Sequence, residues 1–348
     1  MNGRIPVAVL GATGAVGQRF VQLLAGHPWF QVVAATGSER SAGKRYREAA
    51  RWILPGSPPD DVASLEVLPT RPEVVEARVV FSALDAAVAD EAELAFREAG
   101  KIVVSNAKSH RWDPDVPLVI PEINPEHLEL VRLQLRRYGG AIVTNPNCTT
   151  IGLCLALEPL RRRFGLKRLL VTSLQALSGA GYPGVPSLDV LDNVLPEISG
   201  EEEKVENEPK KIFGQLRGET IELVDLPISA QCNRVASRDG HLLSVSVELS
   251  NEATLQAVRE AFRQFKSPLA ELGLPSAPIE PVVLTEEFAR PQPLLDRDLA
   301  GGMAVTVGRL KPCAVLHFRF VALVHNTIRG AAGGTILIAE LLRARGLI

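Results

Sequence analysis

Cys148 stands in the run Asn145-Pro146-Asn147-Cys148-Thr149-Thr150, between the β-branched stretch Ala141-Ile142-Val143-Thr144 and an apolar stretch from Ile151 to Leu160. The first reads as a strand and the second as a helix. A thiol at such a junction faces the positive end of a helix dipole, which favours the thiolate. Thiolate is the nucleophilic form, so the position suits a covalent catalyst. Taken alone, a free cysteine is a small buried hydrophobe; what surrounds Cys148 in sequence gives it a chemical reading. The other cysteines, 154, 232 and 313, form no C-x-x-C pair and no metal-ligand spacing. They read as reduced thiols of a cytoplasmic protein, with no metal site expected.

A second constellation could hold a phosphate. Apolar residues 5–10 run into Gly11-Ala12-Thr13-Gly14-Ala15-Val16-Gly17, followed by Phe20, Val21, Leu23 and Leu24 at helical spacing. Strand, glycine turn and helix in that order set the helix N-terminus against a pyrophosphate. The spacing is G-x-x-G-x-x-G rather than the commoner G-x-G-x-x-G. It makes Gly11, Thr13, Gly14, Ala15, Val16 and Gly17 candidate cofactor contacts. The next strand, Gln31 to Ala35, ends at Thr36, where a carboxylate would bind the ribose 2′-hydroxyl of NAD. Ser38, Arg40, Ser41 and Lys44 follow instead, and hydroxyls with an Arg suit a 2′-phosphate. NADP is therefore expected, with Glu39 pointing away.

These groups need a scaffold. Strands at 78–84 and 101–106 flank a helix at 90–100, so the first part, 1–147, alternates strand and helix as an α/β Rossmann domain with a parallel sheet. Ser82, at the end of one such strand, is a further candidate cofactor contact. From Cys148 the texture changes to long strands at 167–177, 220–227, 242–249 and 314–324, with a helix at 253–266. This predicts an α+β domain with a mixed or antiparallel sheet over 148–329. The end of the chain, 330–348, is Gly-rich and then helical, and is expected to pack back on the nucleotide domain. Among 348 residues, 46% are hydrophobic and 22% charged, with a net charge of −2. That balance gives no sign of a nucleic-acid or membrane partner. No apolar run reaches transmembrane length, and the N-terminus shows no signal-peptide pattern.

Further segments narrow the reading: S-N-A-K-S-H-R (105–111), L-Q-A-L-S-G-A-G-Y-P-G (174–184), E-N-E-P-K-K-I (206–212), N-R-V-A-S-R-D-G-H (233–241) and N-T-I-R-G-A-A-G-G (326–334). Together with G-A-T-G-A-V-G (11–17) and N-P-N-C-T-T (145–150), they span nearly the whole chain. In this order they resemble aspartate-semialdehyde dehydrogenase, most of all its archaeal and fungal branch. The resemblance implies an NADP-dependent oxidoreductase that interconverts L-4-aspartyl phosphate and L-aspartate 4-semialdehyde, on the path to diaminopimelate, lysine, threonine and methionine. It also implies a homodimer or homotetramer.

Site residues follow from the same resemblance. Cys148 is the nucleophile that forms a thioester. His241 matches the acid/base, and its ordinary pKa near 6.5 suits proton traffic. Gln175 matches a residue that positions substrate near the thiol. Arg234 matches the binder of the substrate carboxylate, a task for a guanidinium fork; Arg238 is the rival. Glu208 and Lys211 match contacts to the substrate amine and phosphate, with Lys210 as the alternative to Lys211. Independently of the resemblance, Asn106, Lys108, Ser109 and Arg111 follow the end of a strand, where α/β sheets bind ligands, and Ser109 or Arg111 would hold the phosphoryl group. Ser178, Gly179 and Asn326 match cofactor contacts.

Malonyl-coenzyme A reductase uses the same cysteine chemistry and is the nearest rival. Arg234 and Glu208, suited to the two charged ends of an amino acid, favour the semialdehyde enzyme. N-acetyl-glutamyl-phosphate reductase shares the layout but sets its cysteine in Gly-Cys-Tyr. A non-catalytic NADP-binding protein of this fold would lack the Cys, Gln, Arg and His set.

Overall fold

The computed structural model describes residues 3–348. The first sheet consists of β1 (Ile5–Leu10), β2 (Phe30–Gly37), β3 (Val67–Pro69), β4 (Val79–Ser82), β5 (Ile102–Ser105) and β6 (Ala141–Thr144). Its order is β3-β2-β1-β4-β5-β6, all parallel. Strands covered on both faces must be apolar throughout, and Val7 to Leu10, Val79 to Phe81 and Ile102 to Val104 are all buried. Strand order reverses between β1 and β4, which is where doubly wound sheets open a ligand crevice. The glycine turn leads there into helix α1 (Ala15–Leu24). A Cβ at Gly17 would fall 2.2 Å from the Gly11 carbonyl oxygen, so only glycine lets α1 lie this close to the turn.

Helices α2 (Ala86–Glu98) and α3 (Glu129–Tyr138) cross between later strands. Helix α4 runs Cys148–Phe164, three residues earlier than apolar periodicity suggests. The cause is local: Asn147 Oδ1 accepts from the amides of Thr149 at 2.9 Å and Thr150 at 3.1 Å. Such a cap is worth about 1 kcal/mol and starts the helix at the thiol.

The second sheet has the order β10-β7-β11-β14-β13-β12. Its strands are β7 (Leu166–Gln175), β10 (Ile228–Arg234), β11 (His241–Leu249), β12 (Val282–Leu284), β13 (Val305–Pro312) and β14 (Phe318–Val324). Two pairings are parallel and three antiparallel, so the sheet is mixed. One face packs on α4, α5 (Glu201–Ile212) and α6 (Leu255–Gln264) through Leu153, Leu157, Val205, Phe262 and Phe320. Leu170 and Leu174 stay exposed on the other face.

Two expectations need correction. The strand read at 220–227 shrinks to β9 (Thr220–Glu222), the second arm of a hairpin with β8 (Gln215–Arg217). Pro227 lacks the N–H a ladder requires, and Val224 N instead bonds Lys210 O, so pairing stops early. The strand read from 314 begins at Phe318, because residues 313–317 turn the chain back from β13, which periodicity did not reveal.

The C-terminal helix, Gly333–Ala344, buries Ile336, Leu337, Ile338, Leu341 and Leu342 in the same core as Val7, Phe20, Val104 and Val143. The chain end thus returns to the first sheet and carries the preceding turn back toward Cys148.

Candidate active site

Cys148 opens α4 directly after β6, on the wall of a cavity of about 410 Å³. Val16 of α1, Ala83 to Ala86 beyond β4, and Asn106, Lys108 and Arg111 beyond β5 form the nucleotide-domain side. Ser178, Gly179, Lys204, Asn326, Thr327 and Gly330 close the other side. His241 Nε2 lies 3.3 Å from Cys148 Sγ. The ring is fully buried at the start of β11, and its Nδ1 accepts the Ala176 amide at 3.0 Å. Gly179 permits this crowding: a Cβ there would meet Arg234 Nη1 at 2.9 Å and His241 Nε2 at 3.2 Å.

The electrostatics reverse one expectation. Helix position alone predicts a thiolate, yet burial, with the Glu201 carboxylate next, pushes the Cys148 thiol up to about 12. Arg111, Lys204 and the Thr149 amide pull the other way and do not win. Half a unit of helix charge is outweighed by removing a full charge from water. Cys148 itself stays partly open to the cavity. Burial likewise pushes His241 down to about 3, against the pull of Glu201. In the free site burial thus favours the neutral form of both groups, thiol and imidazole.

Glu201 organises this centre. Its Oε1 accepts Asn147 Nδ2 at 2.8 Å and its Oε2 accepts Lys204 Nζ at 2.9 Å. Glu208 lies seven residues on, on the same helix face. It accepts the Asn147 amide at 2.8 Å and Arg111 Nη1 at 2.7 Å. Two carboxylates of α5 thus grip the residue before the nucleophile from either side.

Several expected ligand contacts are placed elsewhere. Glu208 is buried with both oxygens engaged, so it braces Arg111 and Asn147 rather than facing the cavity. Lys211 is buried and its ammonium donates to the carbonyls of Arg111, Asp113 and Val116 at 2.7, 3.0 and 2.9 Å. All three of its protons are committed. Lys210 bonds Asn207 Oδ1 in a separate surface hollow. Lys204 is the lysine of this helix that reaches the Cys148 cavity. Gln175 is buried, with its Nε2 donating to Ser173 Oγ at 3.2 Å, and is not on the cavity wall. Ser82 is fully buried against Glu93, so its hydroxyl does not face the crevice; Ala83, Leu84 and Asp85 do.

Others do converge. Arg234 donates Nη1 to Ala176 O at 2.7 Å beside His241, whereas Arg238 is exposed and reaches Ile53 O. Arg111 lines the cavity between Glu208 and Asn106 O. Ser109 donates to Ala86 O at 3.2 Å, beside the cavity wall. Asn326 donates to Ser178 Oγ at 2.8 Å and accepts the Gly240 amide at 2.8 Å, tying the two turns that flank His241. Thr36 ends β2 with its hydroxyl bonded to Gly11 N and Thr70. Ser38 and Arg40 are exposed beyond it, and Ser41 is half-buried against Gly37.

Comparison with known proteins settles the family. Residues 6–131 match the semialdehyde dehydrogenase NAD binding domain, and residues 157–329 match the semialdehyde dehydrogenase dimerisation domain. An aspartate-semialdehyde dehydrogenase of Archaeoglobus fulgidus is 50% identical over 341 residues, covering 97% of this chain and 98% of that protein. The chain belongs to the aspartate-semialdehyde dehydrogenase family. The family's Saccharomyces cerevisiae member is 43% identical with full coverage of both chains. A crystal structure of the Candida albicans enzyme with NADP superposes with a TM-score of 0.93 at 42% identity, covering 99% of this chain and 100% of that one. Archaeal and fungal members thus both lie near this chain, and the mixed second sheet belongs to the half matched by the dimerisation domain.

Sequence pattern alone did not point to Glu201, Lys204 or the Ala176 amide. The first two sit in the acid-rich run Glu201-Glu202-Glu203-Lys204, which looks like any solvated helix start. The third carries no side-chain signal at all.

Proposed function

We propose that this chain catalyses the reversible, NADPH-dependent reduction of L-4-aspartyl phosphate to L-aspartate 4-semialdehyde through a thioester on Cys148. The observation that carries it is the Cys148–His241 pair, 3.3 Å apart at the start of α4, with Cys148 on the wall of a cavity lined by Val16, Lys108 and Arg111 on the nucleotide-domain side and by Lys204 on the other. Those cations suit a phosphoryl group; Arg234, beside Gly179, suits the α-carboxylate. The sulfur attacks the acyl carbon, phosphate leaves, and the chain holds the acyl group as a thioester. NADPH, when bound, supplies hydride to that carbon. The resulting thiohemiacetal collapses to aldehyde and frees the sulfur.

The residues present fit NADP. Gly11 to Gly17 lead into the N-terminus of α1, and no carboxylate occupies position 36. Arg40, exposed and outside any ion pair among the described residues, with Ser38 and Ser41 beside it, suits the 2′-phosphate. We further propose a homodimer through the open face of the second sheet, where Leu170 and Leu174 are exposed. Among the described residues no helix is long and apolar enough to cross a membrane, in keeping with a cytoplasmic enzyme.

The test is reduction of NADP by the purified protein with aspartate semialdehyde, with and without phosphate, run beside malonyl-coenzyme A plus NADPH. Phosphate-dependent turnover that prefers the semialdehyde, and disappears in Cys148→Ser while NADP still binds, is the expected result. Turnover with the thioester alone would move the chain to that substrate.

A further inference from the structure

We propose that Glu93, buried on α2 and outside the cavity, is a positioning residue for the turn that carries Asn106, Lys108 and Arg111 into the site. This deepens the proposed reaction, and rests on it for the phosphate that those residues hold.

The turn leaves the end of β5 and has to bend at once. Ser105 makes the bend: its Oγ accepts the amide of Ala107, two residues on, at 3.0 Å. The hydroxyl proton is then left to be placed, and it goes to Glu93 Oε1 at 2.7 Å. Ser105 and Glu93 are both fully buried, so bulk water cannot serve as the acceptor instead. The carboxyl thereby fixes the rotamer in which Ser105 holds Ala107.

Helix α2 grips the turn at two further points. Ser109 Oγ donates to Ala86 O at 3.2 Å, and His110 Nε2 donates to Asp90 O at 3.2 Å. Positions 86, 90 and 93 lie on one face of the helix, so the turn is seated along that face. Other groups hold its flanks: Asn106 Oδ1 accepts Asn145 Nδ2 at 3.0 Å, and Arg111 is braced by Glu208. Lys108 is exposed and reaches the cavity, with its ammonium in no hydrogen bond or ion pair among the described residues. Ala107 is the residue just before it, so the Ser105–Ala107 bond sets where Lys108 enters the site.

The second carboxyl oxygen supplies the discriminating variant. Glu93 Oε2 is buried without a hydrogen-bond partner, and His110 Nε2 stands 4.0 Å away. Burial, the largest influence, pushes this carboxyl up, against the pull of Ser82, Ser105, His110 and Arg111. Putting an amide nitrogen in place of Oε2 therefore sacrifices no bond, and the remaining oxygen still accepts from Ser105.

The experiment compares Glu93→Gln, Glu93→Ala and Ser105→Ala in the full-length protein. It reads hydrogen exchange at the Ala107 amide, and KM for phosphate in the oxidative direction beside kcat and KM for NADP. Glu93→Gln should match the wild type in all of these. Glu93→Ala and Ser105→Ala should speed exchange at Ala107 and raise KM for phosphate on the order of tenfold, with KM for NADP unchanged. A wild-type KM for phosphate in either alanine variant overturns the proposal, even where Tm falls, because Glu93 would then serve the fold alone. A Gln variant as impaired as the Ala variant overturns it too. Ser105→Ala keeps the test decisive if Glu93→Ala does not fold. Amide exchange needs no substrate, so it separates the anchor from the reaction. Faster exchange in a protein that does not use phosphate would leave the anchor standing and remove the proposed reaction, whereas unchanged exchange would sink the anchor whatever the substrate.

Discussion

Gly330 is packed against Cys148: a Cβ at 330 would stand 2.7 Å from the Cys148 Cβ and 3.0 Å from its Cα. The turn that carries the chain back to the first sheet is therefore also the backing of the nucleophile. Gly330→Ala must push the start of α4 by several tenths of an ångström or more. Misplacing a reacting atom on that scale costs on the order of a hundredfold in kcat. Steady-state kinetics should show that loss with KM for NADP nearly unchanged. A wild-type kcat would mean that the thiol tolerates displacement.

Glu201 is the charged neighbour that most opposes ionisation of Cys148. Glu201→Gln removes that charge and releases Lys204 from its 2.9 Å bond. Both changes lower the thiol pKa, and each unit gives about ten times more thiolate at neutral pH. The rate of Cys148 alkylation by iodoacetamide should rise in the variant and its pH profile should move to lower pH. An unmoved profile would show that burial alone sets the thiol.

Lys204 and Lys211 should separate cleanly. Lys204→Ala leaves fold contacts largely intact and is expected to raise KM for phosphate in the oxidative direction, with little change in Tm. Lys211→Ala strips three buried carbonyls of their donor and should cost about 3 kcal/mol of stability. Phosphate KM measured beside thermal unfolding tells them apart; the reverse pattern would return the phosphate role to Lys211.

Acid should weaken the fold through its buried histidines. Burial pushes His241 down to about 3 and His325 down to about 4, whereas both titrate near 6.5 in the unfolded chain. Between those limits the unfolded state binds more protons. Stability is then fully present above pH 6.5 and lost as pH falls toward 4 and 3, by up to about 1.4 kcal/mol per unit for each histidine. Tm should drop from pH 7 to pH 5, and His325→Gln should lessen the slope. A flat Tm over that range would count against neutral buried rings.

Order along the chain determined much of this. Apolar runs with glycine punctuation marked the parallel sheet and the glycine turn, because a strand covered on both faces has to be apolar and a turn under a helix N-terminus has to be small. The segment around Cys148 located the nucleophile because strand, Asn and helix start are neighbours in sequence, and the cap that begins α4 is local. Tertiary structure alone decided what surrounds the thiol. Glu201, His241, Gly330 and the Ala176 amide come from four separate stretches, and only packing gathers them around Cys148 and its neighbours Asn147 and His241. It also decided that Glu208 and Lys211 brace the site from behind while Lys204 faces it. Those three residues lie within eight positions on one helix, and which face turns to the cavity depends on how α5 seats on α4, beyond the reach of their spacing. The charge state follows the same rule: a helix dipole is visible in sequence, but burial, the stronger influence on the Cys148 thiol, exists only once the chain has folded around it.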